Sequence, residues 1–158
     1  MNRWIFGLLL FLTGIGIGGT LTLRGQTRPA VNAERGLALH GYDVVAYFEE
    51  GRAVKGSIQF TATHDGVTWR FSTAARRDAF LREPQRFAPQ FGGFCAYGVS
   101  RGYAVDVDPE AFAVVDGRLY LNYSKRVQRL WDQDRPGHIE TARANWSKVA
   151  AEVAAGKR

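Results

Sequence analysis

The residues of this 158-residue chain that could do chemistry are one cysteine, Cys95, three histidines, His40, His64 and His138, and a few acids placed to join them. A thiolate is a soft ligand suited to copper(I) or zinc, and a neutral imidazole also binds these metals. His40 stands three residues before Asp43, so one turn could offer an imidazole and a carboxylate together. His64 stands beside Asp65-Gly66. One sulfur and two imidazoles, with Asp43 or a water as fourth ligand, would make a mixed sulfur and nitrogen site. No CxxC or HxxxH spacing brings Cys95, His40, His64 and Asp43 together locally, so the tertiary fold must do it. Gly92-Gly93 permit a sharp backbone path just before Cys95, which could present the thiol and neighbouring N–H groups to a ligand. A free cysteine is, however, among the most buried residue types, and Phe94 and Tyr97 flank this one.

Other chemistries leave weaker traces. Asp106, Asp108 and Glu110 alternate, but Pro109 interrupts them and the length and glycine of an EF-hand loop are missing, so a solvated turn is expected. No Gly-x-Ser-x-Gly elbow and no glycine-rich phosphate loop is present. The formal charge of +6 is spread along the chain without a basic block or a recognition motif, which argues against nucleic acid as a partner.

The elements that must position these residues are legible in part. Ile58, Phe60 and Ala62 alternate before Asp65-Gly66, and Val67, Trp69 and Phe71 alternate after it, the pattern of a β-hairpin. Ser72 is placed to cap a helix that Pro84 ends. The same order recurs around Asp116-Gly117: Phe112 to Val115, Leu119 to Tyr123, then a helix opened by Ser124 with Val127, Leu130 and Trp131 on one face. Tyr42 to Phe48 fits either a strand or a short helix capped by Asp43. From Pro84 to Tyr103 prolines, glycines and aromatics follow no period, which predicts an ordered irregular loop held by Phe87, Phe91, Phe94 and Tyr97. After a break at Pro136-Gly137, Ile139, Ala142, Trp146, Val149, Ala150 and Val153 form one apolar helical stripe.

Gly66, Trp69, Phe71, Ser72, Phe80, Pro84 and Phe87 together resemble the YHS domain. The segments LALHGYDVVAYFEEGRAVKG, FGGFCAYGVSRG and DGRLYLNYSK resemble its longer bacterial, membrane-anchored or exported branch. The resemblance covers roughly residues 34 to 148. Many members are associated with heavy metals and carry a cysteine next to the Phe-Ser position, where this chain has Ser72 and Thr73. The likeness and the soft thiol imply copper or zinc binding at Cys95, His40, His64 and Asp43, for sensing, buffering or delivery rather than catalysis. The alternatives are a non-catalytic protein-interaction domain using Phe91, Phe94 and Tyr97, and a thiol-dependent redox protein using Cys95.

Residues 4–23 form a charge-free run of twenty, long enough at ~1.5 Å per residue to cross a ~30 Å hydrocarbon core. With no small-residue cleavage site directly after it, the run reads as an uncleaved signal anchor. The expected organisation is an anchor over 1–24, a linker over 25–33 and a YHS-like domain over 34–158. The anchor would lie in the inner membrane with the domain in the periplasm, although Arg24 and Arg28 count against that orientation. The fold class expected is α+β: two β-hairpin-helix units, an aromatic loop and a C-terminal amphipathic helix behind a transmembrane helix.

Overall fold

Asp65-Gly66 and Asp116-Gly117 both adopt left-handed backbone, with φ of 53° and 75° in the first pair and 50° and 68° in the second. Two such residues in succession give the tight turn whose twist matches that of paired strands. In the computed structural model, which describes residues 30–157, the first turn joins β3 (Ser57–His64) to β4 (Val67–Phe71). The second joins β5 (Asp108–Val115) to β6 (Arg118–Asn122), and both pairs are antiparallel. Each hairpin is followed by a helix, α2 (Ala74–Arg82) or α5 (Lys125–Asp132). The described residues are thus α+β, with the two hairpin-helix units that the sequence predicts.

Two short strands were not visible in the sequence. β1 (Ala33–Glu34) and β2 (Leu37–Ala38) flank an Arg35-Gly36 turn, and β2 pairs in parallel with β4, so the first sheet runs β1-β2-β4-β3. Ala30 and Val31 pack against the cores, Asn32 is buried and Ala33 is in a strand, so residues 30–33 of the stretch read as linker are part of the fold. The expected anchor lies outside the described residues. Among the described residues no helix is long and apolar enough to cross a membrane.

Several local expectations are corrected. The alternation of Ile58, Phe60 and Ala62 does not give one inward face, because the register shifts between Ser57 and Thr61 and leaves Ile58 74% exposed. Thr73, not Ser72, caps α2 by accepting the Arg76 N–H at 3.3 Å. Pro84 does end α2, and it also opens the short α3 (Pro84–Phe87), where its missing N–H would be unused in any case. The stretch expected to be irregular continues as a 3-10 turn over Gln90–Gly93 and α4 (Ala96–Ser100). Asp108, Pro109 and Glu110 belong to β5, at a register shift between Asp108 and Phe112 that accommodates the proline. Leu130 stays partly exposed while Trp131 is buried. Pro136 and Gly137 lie inside the first turn of α6 (Arg135–Ala154), which Asp134 caps through the Gly137 N–H at 3.0 Å.

β6 separates two cores. Leu119 and Leu121 face a core built on Val44, Tyr47, Phe71 and Phe80, while Tyr120 points the other way towards Phe91, Trp131 and the buried stripe of α6. Alternation along a strand buried on both faces produces this division. Asn145 of α6 donates to the Val99 and Ser100 carbonyls at 3.1 Å each, satisfying the end of α4.

Asp43 holds the first unit together. Its fully buried carboxylate accepts from Val45 N–H at 3.0 Å and Ala46 N–H at 3.3 Å, so it caps α1 (Ala46–Glu49). The other oxygen accepts from Ser72 N–H at 2.8 Å and Ser72 Oγ–H at 2.7 Å, with Arg76 Nη1 at 3.6 Å. Partial burial disfavours the Arg76 cation, but Glu49, Glu50 and Asp43 outweigh it and hold its pKa above the ordinary value. Of Tyr42–Phe48, the part from Ala46 is therefore helical behind the Asp43 carboxylate, while Tyr42 forms an isolated antiparallel bridge with Lys55. Asp43→Ala should remove about 2–4 kcal/mol of stability by leaving the buried Val45 N–H and the Ser72 N–H and Oγ–H without this acceptor, while Arg76 keeps Glu49 and Glu50. Urea unfolding measures it, and a loss below ~1 kcal/mol would contradict the assignment.

Candidate functional site

Cys95 stands at the seam of the two cores. Its backbone N–H donates to Val105 O at 3.1 Å, and the residue forms a parallel bridge with Leu121 of β6. As the N-cap of α4, its sulfur accepts the Gly98 N–H at 3.4 Å, and it also accepts the Tyr123 N–H at 3.3 Å from the end of β6. The S–H in turn donates to Asn122 Oδ1 at 3.7 Å, an oxygen that also accepts the Tyr97 N–H at 3.3 Å. Only 1% of the residue is exposed. Burial pushes the thiol pKa up, and the N–H groups of Gly98, Tyr123 and Tyr97 pull it down without cancelling that effect. The group is therefore a protonated thiol at neutral pH, and the thiolate needed for nucleophilic or metal chemistry is disfavoured.

His40 occupies a strained position. Leu39, His40 and Gly41 follow one another in left-handed backbone, with φ of 49°, 50° and 77°. For the two non-glycine residues this costs on the order of 1–3 kcal/mol each, so surrounding contacts must hold the turn. Tyr42 N–H donates to Leu39 O at 2.9 Å, Leu39 N–H donates to Asn32 O at 3.4 Å, and the Leu39 side chain is buried. The result is that His40 Nε2 lies 2.9 Å from Asp106 Oδ1, while Nδ1 lies 3.9 Å from Glu34. The same Asp106 oxygen accepts from Asn32 Nδ2 and from the Val107 N–H, both at 2.8 Å. Partial burial works against ionising Asp106, but Asn32, Val107 and His40 prevail and hold its pKa below the ordinary carboxylate value. An ionised carboxylate only accepts, so His40 Nε2–H is the donor of this pair.

His64 and Asp43 are placed elsewhere. The His64 ring meets Phe80 edge to face at 5.6 Å, and its Nε2 lies 3.5 Å from Asp65 Oδ2. Asp43 spends its oxygens on the donors described above, and His138 packs edge-on against Tyr97 at 5.1 Å. The structure does not bring Cys95, His40, His64 and Asp43 together. Among the described residues no three of His, Cys, Asp and Glu form a group that could hold a metal ion.

Two adjoining concavities are brought together instead. One, of about 210 Å³, lies over Cys95 and is walled by Tyr97, Gly98, Tyr103, Val105, Tyr123 and Val127. The other, of about 420 Å³, contains His40, Asp106, Glu34 and Asn32 and shares Val105 and Tyr123 with the first. Tyr103 and Tyr123 are 49% and 59% exposed, so large aromatic surface stands free at the mouth. Gly98 makes this wall possible, because a Cβ there would press on the Tyr103 ring and on Val105 at 3.2 Å. No family model matches the chain, nor does any curated protein or solved structure. The site is therefore read from its own geometry.

Phe91 and Phe94, expected with Tyr97 to offer a partner surface, are buried, so of the three only Tyr97 lines the recess; Tyr103, Tyr123, Asn32 and Asp106 carry no such expectation in the sequence. Asn32 sat in an apparent linker and Asp106 in an apparent solvated turn, and neither carries a local signal of its partner. The buried, protonated thiol generates a test. Native protein at pH 7 should react with iodoacetamide at least about tenfold more slowly than the urea-unfolded chain. Equal rates would show an accessible thiolate. Because the folded pKa is raised, the stability that Cys95 contributes is complete below its ordinary value of ~8.5 and declines as pH rises beyond it.

Proposed function

We propose that the chain carries a non-catalytic protein-interaction domain of the YHS kind, in which Tyr103 and Tyr123 grip a partner side chain at the recess over Cys95. The observation that carries this reading is the pair of exposed tyrosines around an apolar recess whose floor is a buried thiol. Partly exposed tyrosines beside a pocket supply contact area at little entropic cost and recur as the strongest residues of protein interfaces. The His40–Asp106 pair next to it adds a fixed polar element that would orient the partner. Residues 4–23 would tether the domain to the inner membrane, with the domain in the periplasm.

Copper or zinc binding for sensing, buffering or delivery rests on the softness of the thiol and the YHS resemblance. It would require Cys95 to give up both its proton and the N–H groups it accepts. Titration of the full chain and of Cys95→Ala with Cu(I) and Zn(II) separates the readings: equal affinities are expected, and a tenfold advantage for the native thiol would restore the metal assignment. A redox role needs an exposed, acidified thiol, which is the opposite of the environment described.

The interaction reading is tested by placing a photo-crosslinking residue at 103, at 123 and, as a control, at 58 in the membrane-anchored chain. Positions 103 and 123 should give the same discrete adduct and position 58 none. Adducts that are absent, or that do not depend on position, would overturn it.

A further inference from the structure

A groove of about 580 Å³ shares no lining residue with the concavities over Cys95 and His40. It lies between the two hairpin units: Asp65 comes from the β3–β4 turn, and Arg118 comes from the start of β6 just after Asp116-Gly117. One face of α6 contributes Arg143, Trp146 and Ala150, at the three- and four-residue spacings that put side chains in line.

Among the described residues, the arginines of this groove belong with Arg70, Arg82, Arg101, Arg126 and Arg129 to those without a carboxylate partner. Arg76, Arg77, Arg86 and Arg135 each meet a carboxylate. Among the described residues none pairs with Arg118 or Arg143. Arg143 is oriented by a 3.4 Å hydrogen bond from Nη2 to Tyr120 Oη, which leaves its other N–H groups available. The one acid lining the groove, Asp65, already has His64 Nε2 at 3.5 Å from its carboxylate. Trp146 is half-buried, its ring supported by Phe91 at 5.9 Å and Phe94 at 6.4 Å, so the indole is held in place while part of it faces the groove.

We propose that this groove binds a ring-bearing phosphomonoester, with the phosphate on Arg118 and Arg143 and the ring against Trp146. Two guanidinium groups supply two positive charges and forked donors, which match the roughly −1.5 to −2 charge and three acceptor oxygens of a phosphomonoester better than a single carboxylate. The indole and Phe91 supply the apolar wall that an inorganic anion would not use. Because this groove and the tyrosine-walled recess have no residue in common, the proposal stands independently of the interaction surface.

The test is a titration of the full chain in detergent micelles with phenyl phosphate, inorganic phosphate and phenol, read by ligand-observed NMR. Phenyl phosphate should bind saturably and at least about tenfold more tightly than either of its parts. The double variant Arg118→Gln, Arg143→Gln, whose side chains are exposed and of which only Arg143 touches the core, through its 3.4 Å bond to Tyr120 Oη, should keep its circular dichroism and weaken phenyl phosphate binding at least tenfold. Equal binding by native protein and the double variant would overturn the proposal. So would inorganic phosphate or phenol binding as tightly as phenyl phosphate, or the absence of any saturable signal.

Discussion

The sulfur of Cys95 is the acceptor on which the architecture around the recess depends. Buried N–H groups must find partners, and the Gly98 N–H at the start of α4 and the Tyr123 N–H at the end of β6 find the same atom. One side chain thereby fixes how α4 sits on β6, between the two cores that β6 divides. Tyr97 and Gly98 follow directly from α4, and Tyr123 from β6, so the walls of the recess are set by the cap beneath them. A sulfur used in this way serves the structure through the two N–H groups it accepts.

A second constraint acts through Asn32. Its backbone N–H donates to Gly92 O at 2.8 Å, and its side chain donates to Gly93 O at 3.2 Å and to Asp106 at 2.8 Å. Two left-handed turns, Leu39–Gly41 and Phe91–Gly93, are thus pinned by one buried amide. At Gly92 the approach is so close that a Cβ would lie 1.9 Å from the Ala30 carbonyl oxygen, a position that only glycine fits. Backbone strain at His40 is sustained because Leu39 is buried and Asn32 is bonded on several sides, and its consequence is the fixed His40–Asp106 pair.

Local grammar was well expressed in the sequence, and long-range partnership was not. Asp-Gly turns between alternating strands, Ser124 as a cap and the apolar stripe of α6 all depend on neighbours within a few residues, and all are seen. The aromatic stretch from Phe87 to Tyr97 was recognised as ordered, but its helical turns carry no period long enough to read. Cys95, His40, His64 and Asp43 share ligand chemistry, but residue type does not encode direction: Asp43 turns to Ser72, His40 to Asp106, and His64 to Phe80. These pairings span 29, 66 and 16 positions along the chain, as the numbering shows, so only the folded arrangement reveals them. Ser72 and Thr73 exchanged roles for the same reason, since a buried carboxylate claimed the first hydroxyl and left the cap to the second.

Residue-resolved amide hydrogen exchange tests the central claim most directly, by comparing native protein with Cys95→Ala. If the sulfur is the acceptor for both strand end and helix start, the Gly98 and Tyr123 amides are slow in the native protein, and in the variant they accelerate well beyond the Leu121 amide in the same strand. Gly98 and Tyr123 amides that exchange fast in the native protein, or that change no more than Leu121 in the variant, would contradict it.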